Sequence, residues 1–161
     1  MTIGQFFSKL RILYFVFISS LIPIFFISLF YNDLILLDFG RSISTLIAYG
    51  VAFIGISTVG LSFLIFKFFT SKADEHSELT KKLTIYHQSY LLRSAIIEGM
   101  ALLTAVTFAL THQQFLLIIS ALYIGLLIFI IPSKKEVKNV FKLSVTDQMK
   151  LDNNSHEITI P

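Results

Sequence analysis

The chain has 161 residues, of which 55% are hydrophobic, and its mean hydropathy is +0.77. A soluble domain of this length cannot bury so much apolar surface, so a water-soluble fold is excluded. The absence of cysteine excludes disulfides, thiolate metal sites and cysteine nucleophiles. The net charge of +3 is modest, and where the charges lie matters more than their sum.

Lys9 and Arg11 precede an apolar run, Ile12–Phe30. The run is about 19 residues long, which exceeds a usual signal-peptide core, and no A-x-A-like cleavage site follows, so a retained membrane helix is expected. Pro23 lies in its middle and should kink it. Tyr31-Asn32-Asp33 ends the span. Leu34–Phe39 is apolar but too short to cross, which points to the interface, and Gly40 breaks it. The second span covers about residues 44–66, with Ser42 or Ser44 as its cap. Ala48, Ala52, Gly55 and Ser62 share one face, which should contact another helix through close backbone approach. Lys67 follows and can snorkel to the surface.

Residues 70–82 carry Lys72, Asp74, Glu75, His76, Glu78, Lys81 and Lys82, and read as a solvated loop. Ser71 and Ser77 are both candidate starts for the third helix. Leu79, Leu83 and Tyr86 give its early turns an apolar stripe, and its spanning part covers about residues 90–110. Thr111-His112-Gln113-Gln114 makes a tight turn into a fourth span over about residues 115–131. Pro132 ends that span, and Ser133 with Glu136 forms a capping box for a new helix. There Val137, Val140 and Phe141 share a face, flanked by Lys134, Lys135, Lys138 and Lys142. Such an amphipathic basic segment suits an anionic membrane surface. A further helical turn can start at Ser144, and from Asp152 onward the tail is expected to be disordered.

Twelve of the thirteen Lys and Arg lie before the first span, around the middle loop or after the fourth span; only Arg41 lies on the other side. The positive-inside rule then places both termini in the cytoplasm. The expected architecture is an all-α four-helix transmembrane bundle. Residues 1–132 form the four-span domain, and residues 133–161 a cytoplasmic basic amphipathic segment and tail.

Glu98 is the sharpest chemical feature. It lies about 12 Å into the third span at about 1.5 Å per residue. A bare carboxylate there costs about 2.5 kcal/mol or more. Ser94, Ala101, Ala105 and Ala109 place it on a small-residue packing face, with Ser94 one turn away. Arg93 and Lys67 are candidate partners. Arg93 is about 140° round the same helix, so a contact through another helix is the easier geometry. Glu98, Arg93, Lys67 and Ser94 are therefore the candidate intramembrane binding cluster. It reads either as a structural pair or as an ion, proton or substrate site. The four His and the outer Asp33 and Asp38 lack metal-ligand spacing, so no metal and no cofactor are expected. No nucleotide-binding or hydrolase motif appears and no catalytic residue is assigned. The basic residues are explained by topology, so no nucleic-acid partner is expected.

Tyr86 followed by Arg93, the stretch Ile97-Glu98-Gly99-Met100-Ala101-Leu102, then Pro132-Ser133-Lys134-Lys135-Glu136 and Lys142-Leu143-Ser144 carry a resemblance. Over about Lys82–Ser144 the chain resembles an uncharacterised family of small bacterial four-span integral membrane proteins. That family often has proline after Glu-Gly, where Met100 stands here. The resemblance implies the same topology and a place in the bacterial inner membrane. The Ile97–Leu102 stretch also looks locally like the ion-binding helix of rotary-ATPase proteolipids, but seven glycines are too few for their inner helices. Small multidrug exporters, with four helices and one Glu, offer only an analogy. The function expected first is a non-enzymatic accessory or structural subunit. It would associate with the lipid bilayer and with a second copy or a partner membrane protein. The alternative is a small ion- or proton-coupled transporter, acting as an oligomer with Glu98 as its acid. An enzyme ranks third.

Overall fold

The computed structural model describes residues 1–30, 41–73 and 77–158. The interfacial segment expected at Leu34–Phe39 lies outside the described residues, as do Asp33, Asp38, Asp74, Glu75 and His76. Six helices follow in order: α1 (Ile3–Phe30), α2 (Arg41–Ser71), α3 (Leu79–Thr111), α4 (Gln114–Phe129), α5 (Lys134–Phe141) and α6 (Val145–Asp152). Among the described residues there is no strand, only an isolated antiparallel bridge between Thr2 and Glu157.

α1, α2 and α3 are each long and apolar enough to cross a membrane. α4 has 16 residues, about 24 Å at the helical rise, against about 30 Å of hydrocarbon. It turns by 84° into α5, and counted as one broken span the pair raises the number of spans from three to four. Large apolar side chains cover the outside, with Phe53 74% and Phe129 87% exposed. Water does not tolerate such a surface, but lipid does. The chain is a helical membrane protein.

The helices run further than their apolar cores because polar residues terminate them. α1 begins nine residues before the expected span. Thr2 Oγ accepts from the Gln5 amide at 3.3 Å, and Gln5 Oε1 accepts from the Thr2 amide at 3.0 Å. This reciprocal box satisfies two donors at a helix start. α1 then buries Ile3, Leu10, Tyr14, Leu21 and Ser28, close to a seven-residue repeat, and continues through Pro23. α2 continues to Ser71, where Thr70 Oγ donates back to the Phe66 carbonyl at 2.9 Å. α3 ends where His112 takes a left-handed conformation, φ 55°, and its amide closes on the Phe108 carbonyl.

α3 is the central element and packs against α1, α2, α4 and α5. The small-residue face of α2 does contact other helices. Ala48, Ala52, Gly55 and Ser62 are all buried, and a Cβ built on Gly55 would stand 2.6 Å from Tyr123 Oη on α4. On α3, Ala101 and Ala105 are buried, and the Ala101 carbonyl accepts from Ser120 Oγ of α4 at 3.2 Å.

Two expectations are corrected. The apolar face of α5 is not free for a membrane surface: Val137 and Phe141 are buried in the main core, with Leu79, Leu83 and Tyr86 in the same cluster. Nor is the tail disordered from Asp152. Residues 153–158 lie along the start of α1, where the Ile3 amide donates to the His156 carbonyl at 3.0 Å and the Gly4 amide to the Asn154 carbonyl at 3.1 Å. Ile158 is 4% exposed and belongs to the core. The first turn of a helix has amides without partners, and the tail supplies acceptors for two of them.

The molecule thus has two unlike ends. At one end gather the start of α1, the end of α2, the start of α3, and α5 and α6. At the other, Gln113 Nε2 donates to Thr45 Oγ1 at 3.4 Å, and Phe115 stacks on Tyr49 at 5.1 Å.

Candidate functional site

The densest polar group lies at the first end, where α3 meets α5. Arg93 is 3% exposed, yet it carries a charge at any accessible pH. Its Nη2 donates to Glu136 Oε1 at 3.1 Å, and the other oxygen of Glu136 accepts from Tyr86 Oη at 2.6 Å. The guanidinium sits 4.0 Å from the Phe66 ring centroid, with the Tyr90 and Phe63 rings at 5.1 and 5.5 Å. Three aromatic faces thus replace water around the cation. Tyr90 Oη donates to the Ile130 carbonyl at 2.6 Å, which holds the last turn of α4 beside the pair.

Glu136 is the residue that sequence reasoning missed. The sequence places it in a capping box, and half of that box forms: Ser133 Oγ accepts from the Glu136 amide at 3.2 Å. The carboxylate does not reach back to Ser133. The 84° turn after α4 swings the first turn of α5 across α3, so Glu136 faces Arg93 and Tyr86. A second tie lies nearby, where the buried Lys82 approaches Asp147 of α6 at 3.7 Å. Ser144 caps α6 as expected, accepting from the Asp147 amide at 3.2 Å.

The four residues of the predicted cluster do not come together. Arg93 takes Glu136. Ser94 is fully buried beside Tyr90, and its hydroxyl has no hydrogen-bond partner among the described residues. Lys67 is exposed on α2, and no ion pair among the described residues includes it. Glu98 is half-buried at the seam between α3 and α1, where Oε1 is 2.6 Å from Ser20 Oγ. That hydroxyl is also 2.8 Å from the Phe17 carbonyl, so one proton faces two acceptors. Glu98 sits at the edge of the packing face: Ala101 and Ala105 are buried, with the Ala101 carbonyl bonded to Ser120 of α4, while Glu98 is only half-buried against α1.

Orphaned buried atoms mark the same region. Tyr14 Oη and Arg93 Nε have no partner among the described residues, and the Tyr14 and Tyr90 rings lie 5.7 Å apart. Among the described residues no three His, Asp or Glu side chains converge as a metal site. Glu136, Asp147 and Asp152 are taken up by Arg93, Lys82 and Lys138. Comparison with family models, with curated proteins and with solved structures finds no match.

Proposed function

We propose that this is a non-enzymatic four-span protein of the bacterial inner membrane that serves as an accessory or structural subunit, with both termini cytoplasmic. The observation that carries this reading is the Arg93–Glu136–Tyr86 tie. The buried charge is spent on fastening α5 to α3, with Lys82 and Asp147 fastening α6 in the same way. Such fixed pairs specify one arrangement of helices, whereas coupled transport needs a charge that changes partner. The gathering of Lys9, Arg11, Lys67, Lys81, Lys82 and the α5 lysines at one end supports a cytoplasmic location for that end.

The test is stability against exchange of the pair. If Glu136 is structural, Glu136→Ala lowers the unfolding temperature in detergent and leaves proton or cation flux of reconstituted vesicles at background. Flux in the native protein that the substitution abolishes would overturn the reading.

One observation favours the transporter reading instead. Among the described residues Glu98 is held through Ser20, a hydroxyl that can turn to the Phe17 carbonyl, so its hydrogen bond is switchable. Infrared difference spectra of the protein in nanodiscs, with Glu98→Gln as control, test it. A carboxyl band that titrates and vanishes in the variant favours transport, and an unresponsive one favours the structural role.

A further inference from the structure

Outside the Arg93 site, a cleft of about 620 Å³ opens between the first turns of α1, the start of α5 and the tail. Arg11 and Lys134 both line it, together with Ser8 and Asn154. Lys134 is held in place: its Nζ donates to Asn154 Oδ1 at 2.7 Å and to the Asp152 carbonyl at 3.3 Å. Both acceptors are neutral, and the ammonium keeps a third proton. The carboxylate of Asp152, whose backbone carbonyl accepts from Lys134, is drawn off to Lys138 at 2.8 Å. Arg11 is exposed, and no ion pair among the described residues involves it. Two cations therefore line one cleft, and among the described residues that line it there is no acid.

The close passage of the tail builds the wall. A Cβ on Gly4 would stand 3.3 Å from the Asn154 carbonyl oxygen. On its other side the cleft runs onto apolar surface. Ile12 and Phe15 line it and are 62% and 58% exposed. The exposed face of α1 continues through Ile22 and Phe26. A charged mouth that opens onto a lipid-facing helix has the polarity order of a phospholipid.

We propose that this cleft binds the phosphate of an anionic phospholipid, with Arg11 and Lys134 on the phosphate and the acyl chains along Ile12 and Phe15. The proposal needs only that the protein sits in a membrane, so it stands apart from the accessory or transport role. Arg11 supplies a planar fork of donors and Lys134 a point charge, the two usual ways of holding a phosphate. Apolar continuity with α1 selects a lipid over a free phosphate.

Native mass spectrometry of the full chain tests this, with the detergent-solubilised protein titrated with phosphatidylglycerol or phosphatidylcholine. The expected result is one tightly retained phosphatidylglycerol per chain, about tenfold or more preferred over phosphatidylcholine. Arg11→Gln should weaken retention about fivefold, the order expected for one surface cation. Among the described residues Arg11 makes no hydrogen bond or ion pair, so this variant remains readable if Lys134→Gln loosens the tail. Lys135→Gln, which removes an exposed charge outside the cleft, should change little. Equal retention of the two lipids, or equal loss in Arg11→Gln and Lys135→Gln, would overturn the site. Displacement of the lipid by millimolar inorganic phosphate would overturn the lipid assignment.

Discussion

At the scale of single residues, Arg93 and Glu136 are unequal partners. The Arg93 side chain is 4% exposed and that of Glu136 is 26% exposed. Removing Glu136 strands a buried cation, whereas removing Arg93 leaves an acid that water and Tyr86 can still reach. Glu136→Ala should therefore cost about 3–5 kcal/mol, and Arg93→Met less, in equilibrium unfolding in mixed micelles. The double variant should cost less than the sum of the two. Gly55 gives a second residue-scale prediction. A Cβ there meets Tyr123 Oη at 2.6 Å and Met100 Cε at 3.1 Å, so Gly55→Ala should destabilise by about 1–3 kcal/mol. Tyr123 Oη has no partner among the described residues. Tyr123→Phe should be close to neutral and should recover part of the Gly55→Ala loss, because it removes the atom that collides. Arg93 and Ser94 are visible in the sequence as polar residues in an apolar helix, but the partner of Arg93 is not. Glu136 lies 43 positions away, and no local spacing links it to Arg93.

At the scale of elements, short-range chemistry decides where helices start. Ser133 and Ser144 were legible as caps because their acceptors serve amides three residues on. The same pattern, Thr2-x-x-Gln5, caps α1 at Ile3, a start that the apolar run does not mark. Hydropathy alone placed the start at Ile12, because Lys9 and Arg11 interrupt the apolar run without interrupting the helix. Thr2→Ala should cost about 1 kcal/mol, seen as lower helicity and earlier unfolding by circular dichroism. The tail illustrates the opposite limit. Its polar composition reads as disorder, yet it finds free amides and an apolar seat on α1. Hydrogen exchange separates the two descriptions: the Ile3, Gly4 and Ile158 amides should be protected, while a free tail would exchange within the dead time.

At the scale of the whole molecule, one end holds the cationic side chains and the other almost none. With no native cysteine, single substitutions report on sidedness without a background. In intact spheroplasts, Gln114→Cys should react with an impermeant maleimide, and Lys72→Cys and Lys150→Cys should react only after lysis. Labelling in the reverse pattern would invert the proposed orientation.

The sequence by itself determined that the chain is helical, that it belongs in a membrane, and that a small-residue face of α2 packs inside. These follow from composition, run length and helical periodicity, which are local quantities. Only the tertiary structure decided that Arg93 pairs with Glu136, that Glu98 turns to Ser20, that α5 buries its apolar face, and that the tail closes on α1. Each of these depends on which distant segments meet, and the meeting is set by the turn after α4 and by the packing around α3. A local pattern cannot encode where a turn will carry a side chain.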